Sequence, residues 1–235
     1  MVSLQTDQAV ANYNNRSGAM PDKLSRRERE KIRHRREMIE AAKKLFALKG
    51  FRGTTLDEIA DEAEFGKGTL YNYFENKDDI YVETLASVFI AVAEIVAKVD
   101  AESKDFCGFI RSHTMSMVRY AVDDPYGSAL FGQRTAHEEL AKSPEAMGRL
   151  MRHIKTIREV MTRRFTDARA AGELRRDLPI DQLISFYRHA FHCFLGEHGA
   201  FTAHSRSETP IEELAEVVLT IFLNGALNRP TREES

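Results

Sequence analysis

Residues 53 to 77, GTTLDEIADEAEFGKGTLYNYFENK, constrain the fold more than any other part of the chain. Thr55 followed three residues later by Glu58 is a capping box, which satisfies two of the amide donors left free where a helix begins. Leu56, Ile59, Ala60 and Ala63 form the inner face of that helix, and the small alanines let another helix cross closely. The short turn Glu64-Phe65-Gly66 leads into a third helix predicted from Lys67 to Phe74. Phe65, Leu70 and Phe74 are directed to the core, and Lys67, Gly68, Thr69, Tyr71, Asn72 and Tyr73 lie around the outside. Asn76 then caps a fourth helix, with Asp78 and Asp79 favourable beside its positive N-terminal end. Two short helices joined by a tight turn are the geometry of a duplex DNA reader.

The charge of the chain supports that reading. Its net value is only −2, but residues 23 to 52 hold twelve Lys and Arg against four Glu, a local balance of +8 that leaves −10 for the rest. A charge run by itself is most often a solvated helix face. Beside a helix-turn-helix it is the electrostatic footprint of a polyanion binder. At 235 residues the chain is long enough to bury a sizeable core. No apolar run approaches the roughly 20 residues that cross a bilayer, and the N-terminus lacks a secretory pattern. The expectation is a cytoplasmic protein. Cys107 and Cys193 have no cysteine at zinc spacing and read as buried thiols.

Elsewhere the pattern is helical. Residues 1–22 are polar and aperiodic and read as a disordered tail. Arg26 to Lys49 carries a stripe of Met38, Ile39, Ala42, Leu45 and Phe46, stopped by Gly50, with Phe51 folding back. The fourth helix runs from Lys77 toward Val99, and further helices are predicted at Asp105–Val122, Ser128–Leu140, Glu145–Ala171 and Asp181–Leu195. Gly172 stops the third of these, and Gly196 and Gly199 stop the fourth. Thr209-Pro210-Ile211-Glu212 reads as a second capping box opening a last helix to about Leu227. No segment shows strand alternation.

Residues 33–80 resemble the N-terminal domain of the TetR/AcrR family of bacterial transcriptional regulators. The matching residues are Gly50-Phe51, Thr54-Thr55, Ile59-Ala60, Ala63, Gly68-Thr69-Leu70-Tyr71-Asn72-Tyr73-Phe74 and Asn76-Lys77. The resemblance implies an all-α fold of about nine helices. A helix-turn-helix DNA-binding domain (residues 23–76) would be followed by a larger helical effector-binding and dimerisation domain (77–235). The family often has Gly-Val-Ser where this chain has Glu64-Phe65-Gly66. Glu64 must then adopt a turn conformation that glycine reaches more cheaply, and Gly66 offers no side-chain cap, a loss of a few tenths of a kcal/mol, roughly.

The resemblance also implies that the third helix enters the major groove. Lys67 could donate to guanine or meet a phosphate. Gly68 would allow close backbone approach, and Thr69 and Asn72 are small polar readers. Tyr71 and Tyr73 offer hydroxyls to phosphates, and Thr55 forms a phosphate clamp at a helix start. Lys77 would meet the opposite backbone, and Arg33 and Arg36 would reach along the backbone or the minor groove. Two copies would bind a palindromic double-stranded operator as a homodimer.

In the body, Phe89, Phe106, Phe109, His113, Met117, Phe131, His137 and Met151 are candidates to line a pocket for a hydrophobic or amphipathic effector, such as a fatty acid or acyl-CoA. Phe186, Phe191, Phe194, Leu214, Val218, Ile221 and Phe222 are candidates for an intersubunit four-helix bundle. Neither a cofactor, a metal site nor an enzymatic activity is expected. The alternatives are a DNA binder without an effector and a helical-bundle metal protein around His189, His192, Glu197 and His198. The bundle metal pattern pairs Glu with His three residues later on two helices, and no histidine here has that glutamate.

Overall fold

The computed structural model describes residues 25–132, 144–198 and 210–227. Nine α-helices lie among them: α1 (Arg26–Lys49), α2 (Leu56–Glu62), α3 (Lys67–Tyr71), α4 (Lys77–Glu102), α5 (Phe106–Asp123), α6 (Pro125–Gly132), α7 (Pro144–Ala170), α8 (Ile180–His198) and α9 (Ile211–Ala226). The described residues hold no strand, only an isolated antiparallel bridge between Leu174 and Leu227. The chain divides into two compact units, one of residues 1–94 and 133–153, the other of 95–132 and 154–235.

Local chemistry explains the helix ends of the first unit. The hydroxyl of Ser25 accepts from the Glu28 amide, and Glu28 answers to the Ser25 amide, which starts α1. Gly50 stops α1 at φ 71°, a conformation glycine adopts without Cβ strain. Phe51 then folds back to stack on Phe46, with ring centroids 6.1 Å apart. Thr55 and Glu58 form the expected capping box of α2. The Asp79 amide donates to Asn76 Oδ1 at 2.9 Å, so Asn76 caps α4. Met38, Ala42, Phe46, Ile59, Ala60, Leu70, Phe74, Ile80 and Leu85 fill the core of this unit.

Glu64 is the one non-glycine with positive φ (59°) among the described residues. A side chain in this left-handed region is strained by about 1–3 kcal/mol. Replacing Glu64 by Gly removes the strain and adds back roughly 0.5–1 kcal/mol of unfolded-chain entropy. Glu64→Gly should therefore stabilise the protein by about 1 kcal/mol, read as a higher urea midpoint at unchanged slope.

The second unit packs α5 against α6 and α9, and α8 against α6 and α9. Its core joins Val99, Phe106, Phe109, Ile110, Met161, Phe165, Leu183, Tyr187, Leu219 and Phe222. Inside it lies a polar knot: the Tyr187 hydroxyl is 2.7 Å from His113 Nδ1 and 2.8 Å from Thr114 Oγ1. Burial pushes the Tyr187 phenol above its ordinary range, the Thr114 hydrogen bond opposing. Asp100 takes Arg163 and Arg164 at 2.6 Å each.

Several boundaries differ from expectation. The helix placed at Ser128–Leu140 begins at Pro125, immediately after Asp124, whose carboxylate accepts from the Gly127 amide at 2.9 Å; residues 133–140 lie outside the described part. Gly196 does not end α8, which runs to His198. A single glycine near a helix end costs only about 1 kcal/mol, and neighbouring turns carry it. Thr209 lies outside the described residues, and α9 starts at Ile211 behind Pro210, which makes no side-chain cap. Cys107 is half-buried, less enclosed than expected. The reading that no apolar run could span a bilayer is also corrected. By length and composition α4 is long and apolar enough, and 56% of its most apolar stretch is buried inside the fold.

Candidate nucleic-acid interface

The outer surface of the helix-turn-helix follows from what its inner surface buries. Leu70 and Phe74 are buried completely or nearly so. At helical spacing that leaves Lys67, Gly68, Tyr71 and Asn72 exposed, with Thr69 and Tyr73 half-buried. Tyr71 exposes 55% of its surface, unusual for a residue of its size. A Cβ on Gly68 would meet nothing within 4 Å, so the protein's own packing does not require glycine there. Phe74, placed within the predicted third helix, lies beyond it: α3 ends at Tyr71.

The entry to α2 is held by charge as well as by its cap. Lys49 Nζ lies 2.8 Å from Glu58 Oε1. The Lys49 hydrogen bond, followed by those from the Thr55 amide and hydroxyl, holds the Glu58 carboxyl down at about 2. Thr55 is exposed, and its hydroxyl donates to Glu58 at 2.9 Å. Across the turn, Lys67 Nζ sits 2.5 Å from Asp57 Oδ2. That hydrogen bond raises the Lys67 pKa, so the ammonium stays charged while tethered to the face it shares with α2. Gly66 makes no side-chain cap at the start of α3, as expected from its lack of side chain.

The remaining residues singled out from sequence are placed as follows. Lys77 donates to the Phe51 carbonyl at 2.9 Å and the Thr54 carbonyl at 3.0 Å. Its ammonium also lies 4.4 Å from the Phe51 ring centre. These bonds pin the start of α4 to the loop before α2. Arg33 and Arg36 are exposed on α1, and Arg33 lies 3.7 Å from Glu37. The Tyr73 hydroxyl is 3.3 Å from His34 Nδ1. His34 also meets Phe65 edge-on at 4.9 Å. Asp57, His34 and the Arg35–Glu83 pair were missed from sequence, because partners ten to forty-eight residues apart leave no periodic trace.

In the body, Phe89, Phe106, Phe109, His113 and Met117 are buried, Phe131 is half-buried and Met151 is exposed. Phe106 and Phe109 belong to the packed core of the second unit. His137 and the side chains of Phe191, Phe194 and Leu214 lie outside those described. Phe222 is 3% exposed and faces the core of its own unit, while Phe186 and Ile221 expose 56% and 62%. Val217, beside them on α9, is also exposed and Val218 is half-buried. Among the described residues no three His, Cys, Asp or Glu side chains gather as metal ligands.

A buried inner face, a tight left-handed turn and an exposed, lysine-headed α3 define a helix-turn-helix. The sequence comparisons agree. Residues 38–84 match the model of the bacterial regulatory proteins, tetR family, so the helix-turn-helix segment is similar to the N-terminal domain of that family. Over the first curated relatives, identities of 37% to 46% are confined to 53–57 residues, and the match spans only 24% to 30% of their length. The transcriptional repressor AcnR of Corynebacterium diphtheriae is 20% identical over 154 residues, 65% of this chain and 74% of that protein. Among solved structures, the ketosteroid transcriptional regulator KstR2 of Mycobacterium tuberculosis superposes with a TM-score of 0.69 at 20% identity, covering 83% of this chain and 95% of that one. FadR of Bacillus subtilis, solved in complex with stearoyl-CoA, gives a TM-score of 0.62 at 17% identity, covering 81% and 98%. At these identities the superpositions establish the fold.

Proposed function

We propose that this protein is a repressor that binds a palindromic operator as a homodimer in the cytoplasm and releases it on binding an apolar or amphipathic effector. Residues 23–76 form the DNA-binding domain and 77–235 the effector-binding and dimerisation domain. The observation that carries the DNA reading is the exposed face of α3, with Lys67 at its N-terminal end and no packing reason for Gly68. Lys67, Gly68, Thr69, Tyr71 and Asn72 read or approach bases, and Thr55, Tyr73, Lys77, Arg33 and Arg36 meet the backbone. Lys67 exchanges its Asp57 partner for DNA, and Lys77 acts while holding the α4 start in place.

A three-helix module buries little surface on DNA, so affinity requires two copies. Phe186, Val217 and Ile221 support a self-complementary apolar face on α8 and α9. The effector acts by binding more tightly to the state with low operator affinity, because a ligand shifts an equilibrium only through its differential affinity. The fold shared with a stearoyl-CoA-bound regulator and the aromatic, methionine-containing body support an acyl chain as effector class.

Lys67→Ala should lose about 1–3 kcal/mol of operator binding and relax base preference at one position per half-site. Titration of wild-type and variant onto a set of single-base operator variants at fixed salt measures both. An unchanged preference profile would remove Lys67 from the reading face.

A further inference from the structure

Arg35 is counted by sequence among the basic residues of α1, but the structure spends its charge inside the protein. Its Nε donates to Glu83 Oε2 at 2.8 Å, and a second guanidinium nitrogen, Nη2, donates to Glu83 Oε1. Nη1 donates to the Tyr73 carbonyl at 2.9 Å. The guanidinium carbon lies 4.6 Å from the centre of the Phe74 ring. The two side chains are only 16% and 23% exposed. One planar group therefore joins α1, α4 and the chain leaving α3. A forked donor suits this role, because it meets a carboxylate with two parallel bonds and keeps a third nitrogen for a carbonyl.

The junction matters because α3 is five residues long. A helix of that length has no stability of its own, so its direction is set by what grips it. Leu70 grips it from below. Tyr73 grips its exit twice, through the carbonyl held by Arg35 and through the hydroxyl beside His34. Glu83 lies six residues after Lys77, whose own bonds to Phe51 and Thr54 tie the first turn of α4 to the loop before α2. The start of α4 is thus latched to the helix-turn-helix by Lys77 and by the Arg35–Glu83 pair, and the second of these latches also holds the Tyr73 carbonyl at the exit of α3.

We propose that Arg35 is a positioning residue for sequence discrimination: paired with Glu83, it fixes the angle at which α3 is presented and makes no contact with DNA itself. This rests on the DNA-reading role of α3. A displacement of α4 that draws Glu83 away would release the Tyr73 carbonyl and let α3 turn.

The test uses full-length protein, wild-type, Glu83→Gln and Arg35→Lys. Each is titrated onto its selected operator and onto a scrambled duplex of equal length at several salt concentrations, with thermal melting alongside. Operator affinity should fall on the order of 10- to 100-fold, the size of a lost bidentate base contact. Scrambled-duplex affinity should stay within about twofold, and the salt slope should be unchanged because no phosphate contact is lost. Glu83→Gln keeps the shape of the side chain, so a lower operator-to-scrambled ratio in a variant that melts like wild-type is not explained by unfolding. Equal losses on both duplexes with a shallower salt slope for Arg35→Lys would make Arg35 a phosphate contact and overturn the proposal. Undiminished discrimination in both variants would also overturn it. Failure of the wild-type protein to prefer any duplex would instead defeat the underlying reading of α3, and this proposal with it.

Discussion

Replacing Phe186 and Ile221 together by Glu should give a folded monomer whose operator affinity is lower on the order of 10²- to 10⁴-fold. Phe186 on α8 and Ile221 on α9 are among the most exposed large apolar side chains described, and Val217 lies on the same helix as Ile221. The buried residues that hold α8 and α9 to their own unit are different ones: Leu183, Tyr187, Ala215, Leu219, Phe222, Leu223 and Ala226. The substitutions therefore cost only the outer Phe186–Phe222 ring stack, at 6.4 Å, and helix content should persist. In a dimer they would place four carboxylates in an apolar seam, where an unpaired charge is too costly to bury. DNA binding falls because two linked half-site contacts become one. Sedimentation and operator titration on the same preparation check both halves. Phe222→Glu is the control: it should unfold the second unit, because Phe222 is buried and its ring packs at a tilt against Tyr187 at 5.1 Å within its own core.

Phe165→Ala should destabilise the protein by about 3–5 kcal/mol. Phe165 is fully buried in the C-terminal part of α7. Its ring meets Phe106 edge-on at 4.9 Å, Phe222 at 6.2 Å and Tyr187 at 6.4 Å. Truncation removes one ring from a four-ring cluster and leaves a void among residues drawn from four different helices, which cannot collapse together. The loss includes the transfer energy of the ring, the cavity and the edge-to-face contact. The Tyr187 hydroxyl keeps His113 and Thr114, so no buried polar group is orphaned and the effect stays within that range. Melting should fall by roughly 6–20 °C. Chemical denaturation with the same slope and a lower midpoint would confirm that only stability has changed.

The parts of this fold legible in the sequence are those decided within a few residues. Thr55 with Glu58, Asn76 with Asp79, Gly50 and Gly172 mark helix ends because caps and left-handed stops act over one turn. The strained turn at Glu64 was legible through the resemblance to a family that often has a glycine where this chain has Glu64. What stayed hidden depends on contacts across the fold. The apolar stripes of α8 and α9 are broad enough to cover two faces, so periodicity could not say that Phe222 points inward and Phe186 and Ile221 outward. Charge counting could not separate Arg35, neutralised by Glu83, from Arg33 and Arg36 on the exposed side of α1. Nor could it show that Asp57 tethers Lys67 before DNA arrives.

The central claim is that α3 reads sequence in duplex DNA. Selecting binders from a pool of random-sequence duplexes with the purified protein, followed by titration of the recovered duplex against its scrambled counterpart at physiological salt, tests it most directly. The account predicts an enriched inverted repeat whose half-sites lie about one helical turn, or a multiple of it, apart. The recovered duplex should bind at least on the order of 10³-fold more tightly than the scrambled one. Recovery of no common motif, with every duplex bound equally and with the same salt slope, would contradict it.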